Sequence, residues 1–202
     1  MILHAALLAA CLTLPSAVAA ESTPRVLPSR DVAVTYRLAG PAADALPGGA
    51  PGELRRAWDA GGERLRAEAD GRAQTAMVDL RAGAASIVDG RMRTALALPV
   101  READVAALTL RGARLTRRGQ EVVAGLPCTT YAVTAQRGTG TVCLTDDGVA
   151  LSGQGVVNGR NGSFTATSVA YGAQPDSLFR VPAGYLRLDA GGLGFGQPGQ
   201  PR

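Results

Sequence analysis

The chain has 202 residues, 46% of them hydrophobic, with 21 basic and 17 acidic side chains and a net charge of +4. Every basic residue is arginine, and the single histidine, His4, sits near the start. This length suits one domain with a sizeable core. A small net charge spread along the chain, with few aromatics and no basic cluster, argues against nucleic acid as a partner.

Residues 1–20, MILHAALLAACLTLPSAVAA, read as a secretory signal. Ile2 to Leu14 form an apolar run, Pro15 breaks it, and the small residues Val18 and Ala20 precede a cleavage point before Glu21. The run is too short to span a bilayer, so no transmembrane span is expected. Leu8-Ala9-Ala10-Cys11 offers an alternative, a lipobox that would leave the protein lipid-anchored through Cys11. The residues after Cys11 stay apolar where a tether would be polar, which favours a soluble periplasmic or secreted protein.

Residues 21–30 are an N-terminal lead, 31–188 a single β-rich domain and 189–202 a flexible tail. Val32 to Leu38 alternates with Val32, Val34, Tyr36 and Leu38 on one face, and is a strand. After a Gly/Pro/Ala-rich loop over 39–52, LRRAWDAGGERLRAEAD gives two short strands about Gly61-Gly62, apolar on one side and charged on the other. Ala76, Val78 and Leu80 line one face of the next strand. Asp89-Gly90 is a hairpin turn, with Met92, Thr94, Leu96 and Leu98 on the return. From Arg101 to Leu110 the spacing changes, and an acidic first turn with Glu102 and Asp104 predicts a helix. Further strands are expected over 113–118, 121–124, 129–134, 141–145, 149–157 and 163–171, then a short turn over 175–179. The expectation is a mainly β (α+β) fold: a curled antiparallel sheet or half-barrel of about ten strands with one central helix.

Cys128 and Cys143 are the remaining cysteines. In an oxidising compartment a lone pair is expected to be bridged. Metal ligation would need more ligands than a histidine-free mature chain offers, and redox pairs are usually spaced C-x-x-C. A hairpin turning at Gly138-Thr139 would hold the two cysteines roughly 20 Å apart. The bridge therefore demands a wider loop, such as Thr134 to Thr139, with a bulge or a bend at Pro127.

The inventory for catalysis is short. Without histidine in the mature chain, Ser-His-Asp and Cys-His arrangements and His-based metal sites are excluded, and no cofactor is expected. Asp146-Asp147-Gly148 reads as a turn. Gly153, Gly155, Gly159 and Gly162 have strands on both sides, unlike a phosphate loop, and read as bulge and turn residues. Asn161-Gly162-Ser163 matches a glycosylation sequon but reads first as a hairpin turn.

Gly125 leads to Cys128, then come Cys143, Thr145 and Asp147-Gly148-Val149-Ala150-Leu151, and finally Phe179-Arg180-Val181-Pro182-Ala183-Gly184-Tyr185. This pattern resembles an uncharacterised family of exported bacterial proteins. In strand order and compartment the chain is also similar to periplasmic lipoprotein carriers and receptors of the LolA/LolB type. That resemblance implies a curled half-barrel with an apolar cavity for acyl chains. Two non-enzymatic functions are expected. One is a periplasmic protein that takes a lipid or other hydrophobic ligand, lined by Tyr36, Trp58, Leu65, Met77 or Val78, Met92 and Leu96. The other is an envelope accessory module that binds a protein partner and has no cavity.

Overall fold

A computed structural model describes residues 23–41, 52–70, 73–100, 105, 109–136, 138–157 and 159–189. The expected signal over 1–20, Cys11 included, and the tail from 190 lie outside those residues.

Five strands come first: β1 (Val32–Ala39), β2 (Glu53–Asp59), β3 (Arg64–Ala69), β4 (Gln74–Asp79) and β5 (Ala84–Asp89). β6 (Thr94–Pro99) closes this series. The second half has longer strands: β7 (Arg114–Val123), β8 (Leu126–Ala135), β9 (Gly138–Leu144), β10 (Ala150–Val157) and β11 (Arg160–Tyr171). A 3-10 turn over Asp176–Phe179 leads to β12 (Leu186–Asp189).

All twelve lie in one sheet, in the order β12-β6-β5-β4-β3-β2-β1-β11-β10-β9-β8-β7. Neighbours are antiparallel except β12, which runs parallel to β6. The sheet curls, so that β7 returns close to β11 without pairing with it, and it stays open, with β7 and β12 as edges.

The fold is thus mainly β, with two more strands than expected. β12 escapes the sequence pattern, because four residues ending at Asp189 carry too little alternation to stand out from a tail. The segments 113–118 and 121–124 are one strand, β7, with a bulge between Arg117 and Gly119. A central helix is not supported. The stretch 101–110 falls mostly outside the described residues; Val105 and Thr109 are helical, and Thr109 Oγ1 donates to the Val105 carbonyl at 2.8 Å.

Three hairpins in the first half share one turn chemistry. The pairs Asp59↔Arg64, Asp79↔Ala84 and Asp89↔Thr94 each enclose a four-residue turn. In each, the opening aspartate accepts from amides inside its own turn: Gly62 at 3.1 Å, Ala82 at 2.7 Å, and Arg91 and Met92 at 2.9 Å. The last turn residue takes a left-handed φ, 52° at Glu63, 62° at Gly83 and 52° at Arg93. Short Asp side chains satisfy such turns locally. This corrects the reading of Asp89-Gly90 as a two-residue hairpin: β6 begins at Thr94, and Met92 belongs to the turn.

The main core lies along a row of register partners on five adjacent strands, Tyr171–Val32–Trp58–Leu65–Val78. Val34, Tyr36, Leu151, Ala166 and Val149 are buried with it. Apolar alternation on β1 and β2 dictates this face, since side chains two apart point the same way. A second, smaller cluster of Met77, Val88 and Ala95 is packed against Val181 and Tyr185. The chain before β12 covers this opposite face of β3 to β6. It is held by Arg66 Nη1 donating to the Leu178 carbonyl at 2.9 Å and by Arg64 paired with Asp59 and Asp176 at 2.5 Å.

Candidate functional site

Of the side chains expected to line a ligand face, Tyr36, Trp58, Leu65 and Val78 come together in the main core. Both polar atoms among them are satisfied: Tyr36 Oη donates to the Ala150 carbonyl at 2.9 Å and Trp58 Nε1 to the Pro28 carbonyl at 2.8 Å. The Tyr36 ring packs edge-on against Phe164 with centroids 5.5 Å apart. Burial raises the Tyr36 phenol above its usual range, with Arg56 pulling weakly the other way.

The other candidates are dispersed. Leu96 lies on the same face as Val78, reached through the partner row Ala76–Ile87–Leu96, and is half-buried. Met77 points to the opposite face and joins the second cluster. Met92, in its turn, is 73% exposed. The rows Ala76–Ile87–Leu96 and Val78–Ala85–Leu98 make a contiguous half-buried apolar face on β4, β5 and β6.

The cysteines are joined, with Cα atoms 5.4 Å apart. Register explains how. β8 and β9 pair Ala135 with Gly138, so the chain reverses between those two residues and Thr130 stands opposite Cys143. Moving the turn two residues earlier than Gly138-Thr139 sets Cys128 diagonal to Cys143. The wide Thr134–Thr139 loop expected from the sequence is not needed, because Thr134 pairs directly with Thr139.

Beside the disulfide is a recess of ≈ 250 Å³ whose wall includes Arg30, Gln120, Cys128, Asp147 and Tyr171. Asp147 is its hub. Its carboxylate accepts from Arg30 Nη2 at 2.8 Å and Nε at 3.0 Å, from Tyr171 Oη at 3.1 Å and from Thr145 Oγ1 at 2.5 Å. Partial burial pushes this carboxyl up, but the Thr145, Arg30 and Tyr171 donors together outweigh it and hold the carboxyl below its ordinary range. The Asp147 carbonyl accepts from the Ser29 amide at 2.8 Å. Gly148 has φ 92°, and a Cβ there would fall 2.2 Å from the Leu27 carbonyl. The Asp-Asp-Gly triplet is therefore a turn that also clamps the N-terminal lead. The sequence signal for that second role is weak: a lone glycine beside an acid does not name the distant segment it must admit.

A second, shallow recess of ≈ 440 Å³ has a floor that includes Gly40, Gly140, Gly155 and Gly162. Gly140, Gly155 and Gly162 are direct register partners across β9, β10 and β11. A Cβ on Gly155 would lie 2.4 Å from the Thr139 carbonyl oxygen, so these positions admit tight coiling of the strands. This corrects their reading as bulge and turn residues, since only Gly159, with φ 76°, sits in a turn. Asn161-Gly162 lies within β11, and Gly159 sits between the paired residues Val157 and Arg160. Neither recess includes any of the expected lining residues.

Among the described residues no three His, Cys, Asp or Glu side chains converge as a metal site would require, and no helix is long and apolar enough to cross a membrane.

No family model matches the chain, and no curated protein matches it. Solved structures do. The Pseudomonas aeruginosa MucA/MucB complex matches with TM-score 0.50 and 20% identity over 76% of this chain and 56% of that one. An uncharacterised conserved protein from Thermus thermophilus matches with TM-score 0.52 and 11% identity over 80% of this chain and 91% of that one. The Mycobacterium tuberculosis lipoprotein LppX is also similar, with TM-score 0.45 and 14% identity over 72% and 88% of the two chains. The chain spans just over half the length of the matched chain of the MucA/MucB complex. At these identities the first two likenesses show a shared fold and nothing more.

Proposed function

We propose that this chain is a non-enzymatic protein of the cell envelope that binds a protein partner. The observation that carries the reading is the interior. Four of the side chains that would line a lipid cavity are packed into one core, and the Tyr36 and Trp58 polar groups are tied to backbone carbonyls. A carrier of acyl chains needs an apolar cavity of about 300 Å³ or more. The larger recess is instead floored by glycines and flanked by Thr141, Gln154, Asn161 and Ser163. The MucA/MucB complex supplies a precedent for the same fold engaged with a protein. Export is supported by the signal-like first twenty residues together with the Cys128–Cys143 bridge, which suits an oxidising compartment.

A second reading has its own observation. The half-buried face of Ala76, Ile87, Leu96 and Leu98 would suit a hydrophobic ligand lying on β4, β5 and β6. One experiment separates the two: detergent-free purification from a periplasm followed by native mass spectrometry. The expected result is a chain starting at Glu21, two hydrogens lighter than its reduced form, that stays unliganded after incubation with phospholipid vesicles. A retained adduct of lipid mass would replace the partner reading with the carrier. An acylated Cys11 at the new N-terminus would replace soluble export with a lipid anchor.

A further inference from the structure

A protein that binds a partner needs a docking surface, and the role assigned to β7 rests on that partner-binding reading. β7 is a ten-residue edge strand in which all but Leu115 and Val123 are exposed. It pairs with β8 on one side, and its later part, at Gln120, approaches Tyr171 across the recess beside the disulfide. Its earlier part, Arg114 to Arg118, belongs to neither recess and to neither core cluster. A strand edge left in this way presents main-chain donors and acceptors to whatever extended chain fits beside it.

Charge selects the occupant. Several arginines elsewhere are neutralised locally, Arg30 by Asp147, Arg64 by Asp59 and Asp176, Arg66 by Glu68 and Arg180 by Asp176, while Arg37, Arg56 and Arg160 stand singly without an ion pair among the described residues; β7 gathers three such arginines on one edge. Arg114, Arg117 and Arg118 have no ion pair among the described residues, and all three are exposed. The bulge at Arg118 places two of these charges side by side. Antiparallel pairing of two copies centred on Thr116 would set Arg114 opposite Arg118 in both directions, and like charges directly opposite destabilise a sheet. An anionic membrane would meet the charges but leave the edge amides and carbonyls unused, and on β7 Val122 is the strongly exposed large apolar side chain it would find to enter by.

We infer that the Arg114–Arg118 edge of β7 accepts an acidic, extended segment of a partner protein as an added strand. Acidic side chains of the added strand then face the unpaired arginines, and its backbone completes the edge.

The test uses the full exported chain with its disulfide intact and a fluorescent decapeptide of alternating Glu and Val. Three controls accompany it: the Lys/Val counterpart, the acidic peptide N-methylated at alternate residues, and phosphatidylglycerol vesicles. The acidic peptide is expected to bind, to slow hydrogen exchange of amides within 114–118, and to weaken as salt is raised. R114E/R117E/R118E, on an exposed strand, should melt like the parent and lose about tenfold or more in affinity, as three exposed charge reversals imply. R114Q/R117Q/R118Q gives an intermediate loss and guards against a folding defect. Equal binding of the N-methylated peptide overturns strand addition. Protection appearing elsewhere, or no binding, overturns the site. Vesicle binding lost in the Glu variant while the peptide fails to bind assigns the arginines to a membrane and overturns the inference. A lipid adduct in the native mass would sink the underlying partner reading, a result distinguishable from all of these.

Discussion

The two halves of the sheet are held in different ways. In β2 to β6, strands of six or seven residues are joined by four-residue turns, and three of those turns are closed by their own aspartates. On β4 to β6 one face is half-buried and apolar; the opposite face of β3 to β6 is covered by the chain leading into β12. In β7 to β11, joined through β1, strands of seven to twelve residues are tied by a disulfide, by the Asp147 hub and by the most completely buried side chains, Leu144, Val149, Leu151 and Cys143. Local turn chemistry can be built anywhere in a chain and costs little to interrupt. Long-range closure concentrates stability where distant segments meet. The stiff half can therefore carry an exposed edge, β7, without unravelling.

The largest effect expected from this contrast is a difference between two leucines. Leu151 is fully buried at the centre of the main core, whereas Leu96 is half-buried on the open face of β6. Leu151→Ala should destabilise by about 3–4 kcal/mol, and Leu96→Ala by about 1 kcal/mol. Measured by thermal melting, the first should lower Tm by roughly 10 °C and the second by only a few degrees. Equal losses would mean that the β4–β6 face is as well packed as the core and would remove the basis for the comparison.

Next comes the bridge. Cys128 and Cys143 close a loop with a sequence separation of 15, and the double variant C128A/C143A should lose about 3 kcal/mol through the freed unfolded chain. Hydrogen exchange should rise in β8 and β9 and barely change in β4 and β5. A uniform rise across the sheet would show a single cooperative unit and not two differently built halves.

The same contrast explains what could be read from the chain beforehand. Alternation in Val32–Leu38 and in Leu54–Ala67 located strands and their buried faces, because one face of each is apolar and the period is two. Parity failed only where it depended on a turn. Asp89-Gly90 resembles a two-residue hairpin, yet Asp89 caps a four-residue turn, and that moved Met92 from a strand to solvent. The sequence VVNGRNGS holds two Asn-Gly pairs, and the second lies within β11 and not in a turn. For the bridge, both cysteines were legible but their register was not, since no glycine lies between the paired residues Ala135 and Gly138 to mark the reversal. Asp147 was the deepest omission: its partners Arg30 and Tyr171 stand 117 and 24 residues away, beyond the reach of any local pattern.

Asp147 also gives the smallest and most specific prediction. Its carboxyl is held below the ordinary range by Thr145, Arg30 and Tyr171 against the opposing push of burial. A carboxyl depressed on folding contributes stability that is present above its unfolded value, about 3.9, and is lost as pH falls through the folded value. Asp147→Asn keeps the shape but gives up the charge-assisted bonds to Arg30. The variant should melt below the parent at pH 7, and the gap should narrow steadily once the pH drops below about 4. Asp89 is the control from the other half. The Met92 amide, against the push of desolvation and with help from the Arg91 amide and Gln74, holds its carboxyl down within a solvent-exposed turn. Asn can accept the same local amide bonds but not as a charge, so Asp89→Asn should open a smaller gap than Asp147→Asn, and that gap should also close as the pH falls below about 4. Melting curves of the parent and both variants between pH 2 and 7 decide the matter. If the Asp147 gap stays constant through acid, the hub acts through shape alone, and the long-range closure of the second half does not depend on its charge.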